Sequence, residues 1–572
     1  MRRFRPSIFS ILGLMTLTAC TNMVGCNGCN PPPAQWLAYR NNPGRYGWQI
    51  LNSKVANASN VIASLHVAWK SPGTSWTGPS MPGAFRASPI VFNSTVFIGD
   101  TDGYFWALNA ADGSYKWRYP TGSGAPLTGS CSWGHYGIQS SASYISVNGT
   151  DAVLFGAPDP DQALDSGNGS ARLWVLDAGS GTLLWKSDPV ANVPTCPVGT
   201  VVGSIHERIA YSSPLVFGNM AYVGVHDSGD NPVQKGRLVA VDLTTHKLVT
   251  AGFPFSVVGK ASDLTCGNWC GGGVWNAPAF DGKGIVFTTG NVCGANVAGG
   301  TPCEPEPSPD HSLSMVNIDP TSGALNWEFR AVPYQLDNDP DWSAGPTSML
   351  TSCGQLTASV QKNGWTYALD SGTGSCKWQF PPTAGPSCKF APTTVMEKGD
   401  DGYKQPGAAW GDYLFIQTGG WAVTDPSAGY KHGYGRVHAL DACQTSDSNR
   451  VRWIYDVPPA DEGGGYPMGA PTVTNGVVFV TTSGGHVIAL ADPATGVAQA
   501  GFRCSNTDFG PPSATWVSDC QTAGYTIVPV PASIDVALDD GGNAVGLRME
   551  PAIALDSLFV ATDKGHVYAL QP

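Results

Sequence analysis

Short apolar runs punctuated by glycine, asparagine and aspartate recur along most of the chain, and they recur as one unit. Residues 87–117, ASPIVFNSTVFIGDTDGYFWALNAADGSYKW, show it in full. A Ser-Pro or Ala-Pro start opens a strand, a turn leads to a second, a glycine turn leads to a third, and an Asx-x-x-x-Gly turn leads to a fourth that carries tryptophan. The turn-opening residues Asn109, Asp177, Asp319 and Asp370 precede Trp117, Trp185, Trp327 and Trp378 by eight residues each. Looser copies run through 212–242, 407–453 and 469–496, and a last one begins at Glu550 and stops before its fourth strand. Eight starts fall near residues 87, 141, 212, 276, 344, 407, 469 and 550.

Units of roughly 50–80 residues with four short strands predict a β-propeller. Runs such as Val477-Val478-Phe479-Val480 are apolar throughout rather than alternating, as suits sheets packed on both faces. The segment 64–70, SLHVAWK, precedes the first unit and supplies the strand that the eighth lacks. The expectation is an all-β, eight-bladed propeller closed by pairing of N- and C-terminal strands, a device that removes exposed edges. The repeated tryptophans are assigned to packing between blades. The longer stretches 119–140, 188–211, 250–275, 292–311 and 497–549 read as loops. Loops of that length in a compact domain are usually functional or pinned.

A length of 572 residues would otherwise suggest several domains, but the closed repeat makes 34–572 one. Glycine (71) and proline (45) are plentiful and charged residues only 13%, while 42% hydrophobic residues and 19 tryptophans exclude disorder. A net charge of -12 argues against a nucleic-acid partner, which would need a basic surface.

The first residues read as an address. Arg2, Arg3 and Arg5 precede an apolar stretch over 8–17, too short to span a bilayer. Leu17-Thr18-Ala19-Cys20 resembles a bacterial lipobox, which implies a signal peptide over 1–19, lipidation of Cys20 and a tether over 20–33. The location implied is the cell envelope, periplasmic or outer-membrane, with Thr21 after the lipid site leaning outward. Fourteen further cysteines fit a disulfide-permissive compartment. Cys266/Cys270 and Cys293/Cys303 are expected to staple loops. No C-x-x-C-H occurs, so the chain has no attachment motif for covalent haem.

Asn42-Pro43-Gly44-Arg45-Tyr46, then Asn60-Val61, Leu65 and Val67-Ala68-Trp69, form an opening pattern similar to that of the pyrroloquinoline-quinone (PQQ) dehydrogenases, in particular their polyvinyl-alcohol-dehydrogenase-like branch. The resemblance runs thinly through all eight units. Its most specific piece is GGGVWNAPAFDGKGIVFTTGN, residues 271–291. It implies Trp275 as a flat floor beneath the quinone and Asn291 as a calcium ligand. A planar cofactor suits a stacked aromatic, and a hard cation suits oxygen ligands. Asp337-Asn-Asp339-Pro-Asp341-Trp342 stands where the family has its catalytic aspartate. Asp339 is the expected base, Asp337 the next choice, and Asp341 a metal ligand. Lys362 matches the family's basic contact to the quinone oxygens. Asp227 and Asp230 fall where relatives have a glutamate calcium ligand, and Lys235 replaces an arginine. The relatives' adjacent cysteine pair is missing, with only Cys131 nearby and His135 in the same loop.

Two functions follow from the resemblance. One is an exported quinoprotein dehydrogenase that oxidises an alcohol, secondary or polymeric, with PQQ and Ca²⁺. It would pass electrons to an external acceptor such as a cytochrome c. The other is a non-catalytic propeller lipoprotein serving as an envelope scaffold, as in the outer-membrane barrel assembly machinery. Fold alone does not separate them. A scaffold has no need of Trp275, Asn291 or the 337–342 acidic loop, and these favour the enzyme.

Overall fold

The computed structural model describes residues 35–49, 65–131, 134–160, 168–194, 207–226, 236–257, 272–290, 311–331, 341–342, 344–362, 365–380, 388, 405–419, 435–445, 450–457, 469–474, 477–482, 485–491, 533–535, 546–547 and 549–572. Every regular element among them is a β-strand. Seven four-stranded sheets and one five-stranded sheet form the blades, each running inner to outer in chain order except where the ring closes. The inner strands are Ile90–Phe92, Ser143–Val147, Leu215–Phe217, Ala279–Phe280, Thr347–Thr351, Ala408–Trp410, Thr472–Thr474 and Ala552–Ala554. They follow the eight starts read from the sequence. The eighth blade takes its outer strand from the other end of the chain. His66–Ser71 pairs antiparallel with Val567–Gln571, with His66 opposite Gln571 and Ser71 opposite Val567.

The repeated tryptophans join consecutive blades, as expected. Trp117 Nε1 donates to the Ala178 carbonyl at 3.1 Å, Trp327 to Ser371 at 2.9 Å, and Trp378 to Ala442 at 2.9 Å. Trp69 does the same at the closure, donating to Ala110 at 3.0 Å. Trp185 instead stacks on His246, centroids 4.2 Å apart. Each receiving turn is tightened by its Asx side chain; the Asp177 and Asp370 carboxylates accept backbone amides of their own turns. The turn glycine makes room for the incoming indole. At Gly374, where φ is +68°, a Cβ would lie 2.7 Å from the Trp327 ring.

Residues 35–49 circle the inside of the ring and touch the inner region of every blade. Trp36 bridges Val91 and Ala38 bridges Ser143. Arg45 reaches Ser213 and Pro214 of the third blade. Phe280, Ser348, Ala409 and Val473 then donate their amides in turn to the carbonyls of Pro43, Gly44, Tyr46 and Gly47. Gln49 completes the circuit on Ile553 of the eighth blade. Two disulfides, neither assigned from the sequence, lie among the described residues. Cys353–Cys443 ties the fifth blade to the sixth, and Cys376–Cys388 pins the end of the fifth. Cys266, Cys270, Cys293 and Cys303 lie outside the described residues.

Replacing Gly374 by alanine is expected to destabilise the chain by about 3 kcal/mol, combining left-handed strain with overpacking against Trp327. At Gly218, where φ is +59° and nothing lies within 4 Å of the added Cβ, the same change should cost only about 1 kcal/mol. Chemical denaturation of the two variants checks the difference.

Candidate cofactor site

Connections before the inner strand and between the second and third strands lie on the same end of a four-stranded antiparallel blade. Three residues singled out in the sequence meet at that end, in the fourth and fifth blades. Trp275 sits just before the inner strand Ala279–Phe280. Asp341 precedes the inner strand Thr347–Thr351, and Lys362 follows the second strand Gly354–Val360. Lys362 Nζ lies 2.7 Å from Asp341 Oδ1, and Trp275 Nε1 donates to Asp341 Oδ2 at 3.2 Å. The same ammonium stands 5.6 Å from the centre of the Trp275 ring. Asp341 is only 3% exposed, while Trp275 is partly open.

Local sequence explains the placement. Val274 donates its amide to Val225 at the end of the third blade's second strand, and Gly290 donates to the Gly273 carbonyl. This packing leaves no space for side chains: a Cβ on Gly272 would lie 2.3 Å from Val257 Cγ1, and one on Gly224 2.1 Å from the Val274 carbonyl oxygen. The glycine run therefore clamps the segment that presents the indole. Asn276 follows and donates to the Trp342 carbonyl at 3.0 Å, while Thr288 Oγ1 donates to Ala344 at 3.0 Å. Trp342 is fully buried, bridges Gln361 and packs edge-on against Tyr367. The Lys362 amide donates to the Asp341 carbonyl at 3.0 Å. Asp341 and Lys362 are thus fixed by backbone as well as by their ion pair.

The expected ligand set is only partly described. Asn291, Asp227, Asp230, Lys235, Asp337, Asp339 and Cys20 lie outside the described residues. The strands flanking 227–235, 291–310 and 332–340 end on the same face as Trp275. Among the described residues no group of three or more His, Cys, Asp or Glu side chains is placed to hold a metal ion. Cys131 and His135 belong to a two-stranded hairpin, Gly129–Cys131 with Gly134–Tyr136, whose side chains are not described.

Two features of this face escaped the sequence reading. Asn276 stands in the sequence as one residue of a motif, yet its side chain anchors the Trp342 backbone, as buried polar groups beside turns do. Arg86 and Tyr211 stand in the first and third blades where Trp275 stands in the fourth, each three residues before the inner-strand proline. Arg86 Nη1 donates to the Tyr211 hydroxyl at 3.3 Å, and Tyr211 holds a left-handed φ of +65°. The repeat register itself carried that signal.

A partly open indole with an ammonium beside its face and a carboxylate at its edge suits a flat, anionic, aromatic guest. That chemistry fits PQQ. Breaking the buried ion pair by Lys362→Met should cost about 3 kcal/mol, because a desolvated carboxylate is left behind. Adding Asp341→Asn should recover part of the loss, and a double-mutant cycle in urea measures the coupling.

Known proteins share this fold. The family model described as "Glucose/ethanol/alcohol dehydrogenase, beta-propeller domain" matches residues 36–394, and that of "Outer membrane protein assembly factor BamB" matches 312–572. The quinoprotein glucose dehydrogenase of Gluconobacter oxydans (strain 621H) is 34% identical over 92 residues, 16% of this chain and 11% of that protein. The match therefore spans about a tenth of that relative's length. A quinohemoprotein alcohol dehydrogenase from Comamonas testosteroni superimposes with a TM-score of 0.59 at 16% identity, over 94% of this chain and 80% of that one. A europium-containing methanol dehydrogenase does so with a TM-score of 0.53 at 19% identity, covering 81% and 84%. At such identities the solved structures establish the eight-bladed fold. The family model, matching well over half of the residues, establishes kinship: the chain belongs to the PQQ-dependent glucose/ethanol/alcohol dehydrogenase β-propeller family.

Proposed function

We infer that the chain is a quinoprotein dehydrogenase that oxidises an alcohol. The observation that carries this reading is the convergence of Trp275, Lys362 and Asp341 on one face. Bound PQQ would supply the hydride acceptor, and Ca²⁺ the Lewis acid that polarises its reacting carbonyl. Trp275 offers the floor for the ring, with Lys362 and Lys235 as the cationic contacts to its oxygens. Asn291, Asp227 and Asp230 are the oxygen donors proposed for calcium.

Proton acceptance belongs to the acidic loop. Asp339 and Asp337 are the choices from the sequence and lie outside the described residues, and the placement of Asp341 supports it as a further candidate. Each of its oxygens already has a partner, one the Lys362 ammonium and the other the Trp275 indole N–H. That arrangement fits a carboxylate held ready to take the hydroxyl proton of an alcohol better than it fits a cation ligand. Lys362 would offset the negative charge that develops nearby. The proposed setting is the cell envelope, with Cys20 as lipid anchor and an external carrier such as a cytochrome c as electron acceptor.

The match of residues 312–572 to the assembly-factor model favours a second reading, a cofactor-free envelope scaffold. Titrating the full-length chain with PQQ in the presence and absence of Ca²⁺, followed by tryptophan fluorescence, separates the two. Calcium-dependent binding tighter than about 10 μM is expected, and Trp275→Ala should weaken it at least about tenfold, or about 1.4 kcal/mol. No binding at that level turns the reading towards the scaffold. Asp341→Asn should leave cofactor affinity within a few-fold while lowering kcat by about 10²–10⁴, the usual contribution of a general base.

A further inference from the structure

Lys362 alone does not make the Trp275 face attractive to an anion, because the Asp341 carboxylate 2.7 Å away cancels most of its charge at a distance. An anionic guest seated on the indole needs a cation that no carboxylate already holds, and Arg86 is one. Among the described residues no carboxylate pairs with it, and its one hydrogen bond runs from Nη1 to the Tyr211 hydroxyl, 3.3 Å long. Its place relative to Trp275 is set by ties between neighbouring blades. The Ser88 amide donates to Ser141 Oγ at 2.8 Å, the Ser141 amide to Ser213 Oγ at 2.9 Å, and Ser212 Oγ to the Asn276 carbonyl at 3.2 Å. Arg86, Gln139, Tyr211 and Trp275 stand two residues before Ser88, Ser141, Ser213 and Ala277, and so follow one another around the ring. Arg86 reaches past the second blade to the third, whose Tyr211 is the next neighbour of Trp275.

Tyr211 adds an independent sign of function. Its φ is +65°, a left-handed angle that a bulky side chain rarely adopts. Asn93 and Ser94, like Leu555 and Asp556, hold such angles in two-residue hairpin turns that demand them. Tyr211 lies in no hairpin, its counterparts Arg86 and Trp275 do not share the angle, and at 38% exposure burial does not offset the strain. Strain held by a partly open side chain beside a candidate site points to a role there. The phenolic oxygen accepts from Arg86, so its own proton remains to donate beside the unspent guanidinium Nη2. Two adjacent donors, one of them charged, match the two oxygens of a carboxylate. We propose that Arg86 and Tyr211 form a clamp for a carboxylate carried by the flat guest whose ring lies on Trp275. The identity of that guest, the polycarboxylate PQQ, rests on the function proposed above; the clamp itself rests on the charge, the register and the strain.

Fluorescence titration of the full-length chain with PQQ and with its trimethyl ester, both in Ca²⁺, tests the clamp. The parent should prefer the free acid by about tenfold or more, the worth of a charge-assisted pair. Arg86→Gln should remove that preference while leaving the affinity for the ester within about threefold. Tyr211→Gly should also weaken binding of the acid, yet melt no lower than the parent, because glycine accepts the left-handed angle. A preference for the acid that survives Arg86→Gln overturns the clamp and leaves the cofactor reading intact. A Tyr211→Gly variant that melts below the parent gives Tyr211 to the fold and overturns its share in the clamp. A parent that binds no PQQ removes the cofactor reading instead, and trimesate, a flat aromatic tricarboxylate, becomes the probe. Trimesate binding that Arg86→Gln abolishes keeps the clamp; equal binding, or none to the parent, overturns it as well. Should Arg86→Gln fail to fold, Tyr211→Phe reads the same preference, with a loss of about threefold expected and no change overturning the clamp.

Discussion

Arg40 and Arg45 carry charge where water does not reach, and the ring is arranged around the acceptors they need. A buried guanidinium is tolerable only when its N–H groups are met. Arg45 donates to the carbonyls of Pro278, Tyr39, Ser213 and Pro214, and Arg40 to those of Pro471 and Gly407. Burial lowers the pKa of both, Arg45 to about 10. Three of the acceptors are prolines at the starts of inner strands. Proline has no N–H to give a sheet, which makes it a natural entrance to a strand. The Ser-Pro and Ala-Pro starts that mark the repeat thereby also frame the axis.

The candidate site hangs from the same constraint. Pro278, held by Arg45, lies three residues beyond Trp275. Asn276 between them ties the segment to Trp342, and Trp342 fixes Asp341. The indole, the carboxylate and the buried arginine thus sit on three separate segments tied together by hydrogen bonds. The placement of Trp275, Asp341 and Lys362 comes from the core beneath them.

The blade plan was legible because it is written in period and spacing. A tryptophan eight residues after an Asx turn, opposite a turn glycine in the next blade, is a local rule repeated often enough to read. The closing strand was legible because one unit was short by one strand and an unassigned strand stood at the other end. Trp275, Asp341 and Lys362 were each visible within motifs, but Asp341 could not be ranked against Asp337 and Asp339 from spacing. Its placement depends on Trp342 burying itself against Tyr367, a contact that no spacing along the chain announces. The circling of residues 35–49 left no periodic trace, since it follows eight separate strands rather than any pattern of its own. Glu550 looked like one more blade start until the axis gave it Arg40 as a neighbour.

The closure at His66–Ser71 and Val567–Gln571 sets a timetable as well as a shape. Almost five hundred residues separate the two strands, and at about 5–20 residues per second a ribosome needs roughly 25–100 s to cross that gap. Throughout that interval the earliest strand waits beside a half-built ring with a bare edge at each end, the kind of surface that recruits other chains. The axial segment waits too, because its last acceptors lie in the seventh and eighth blades.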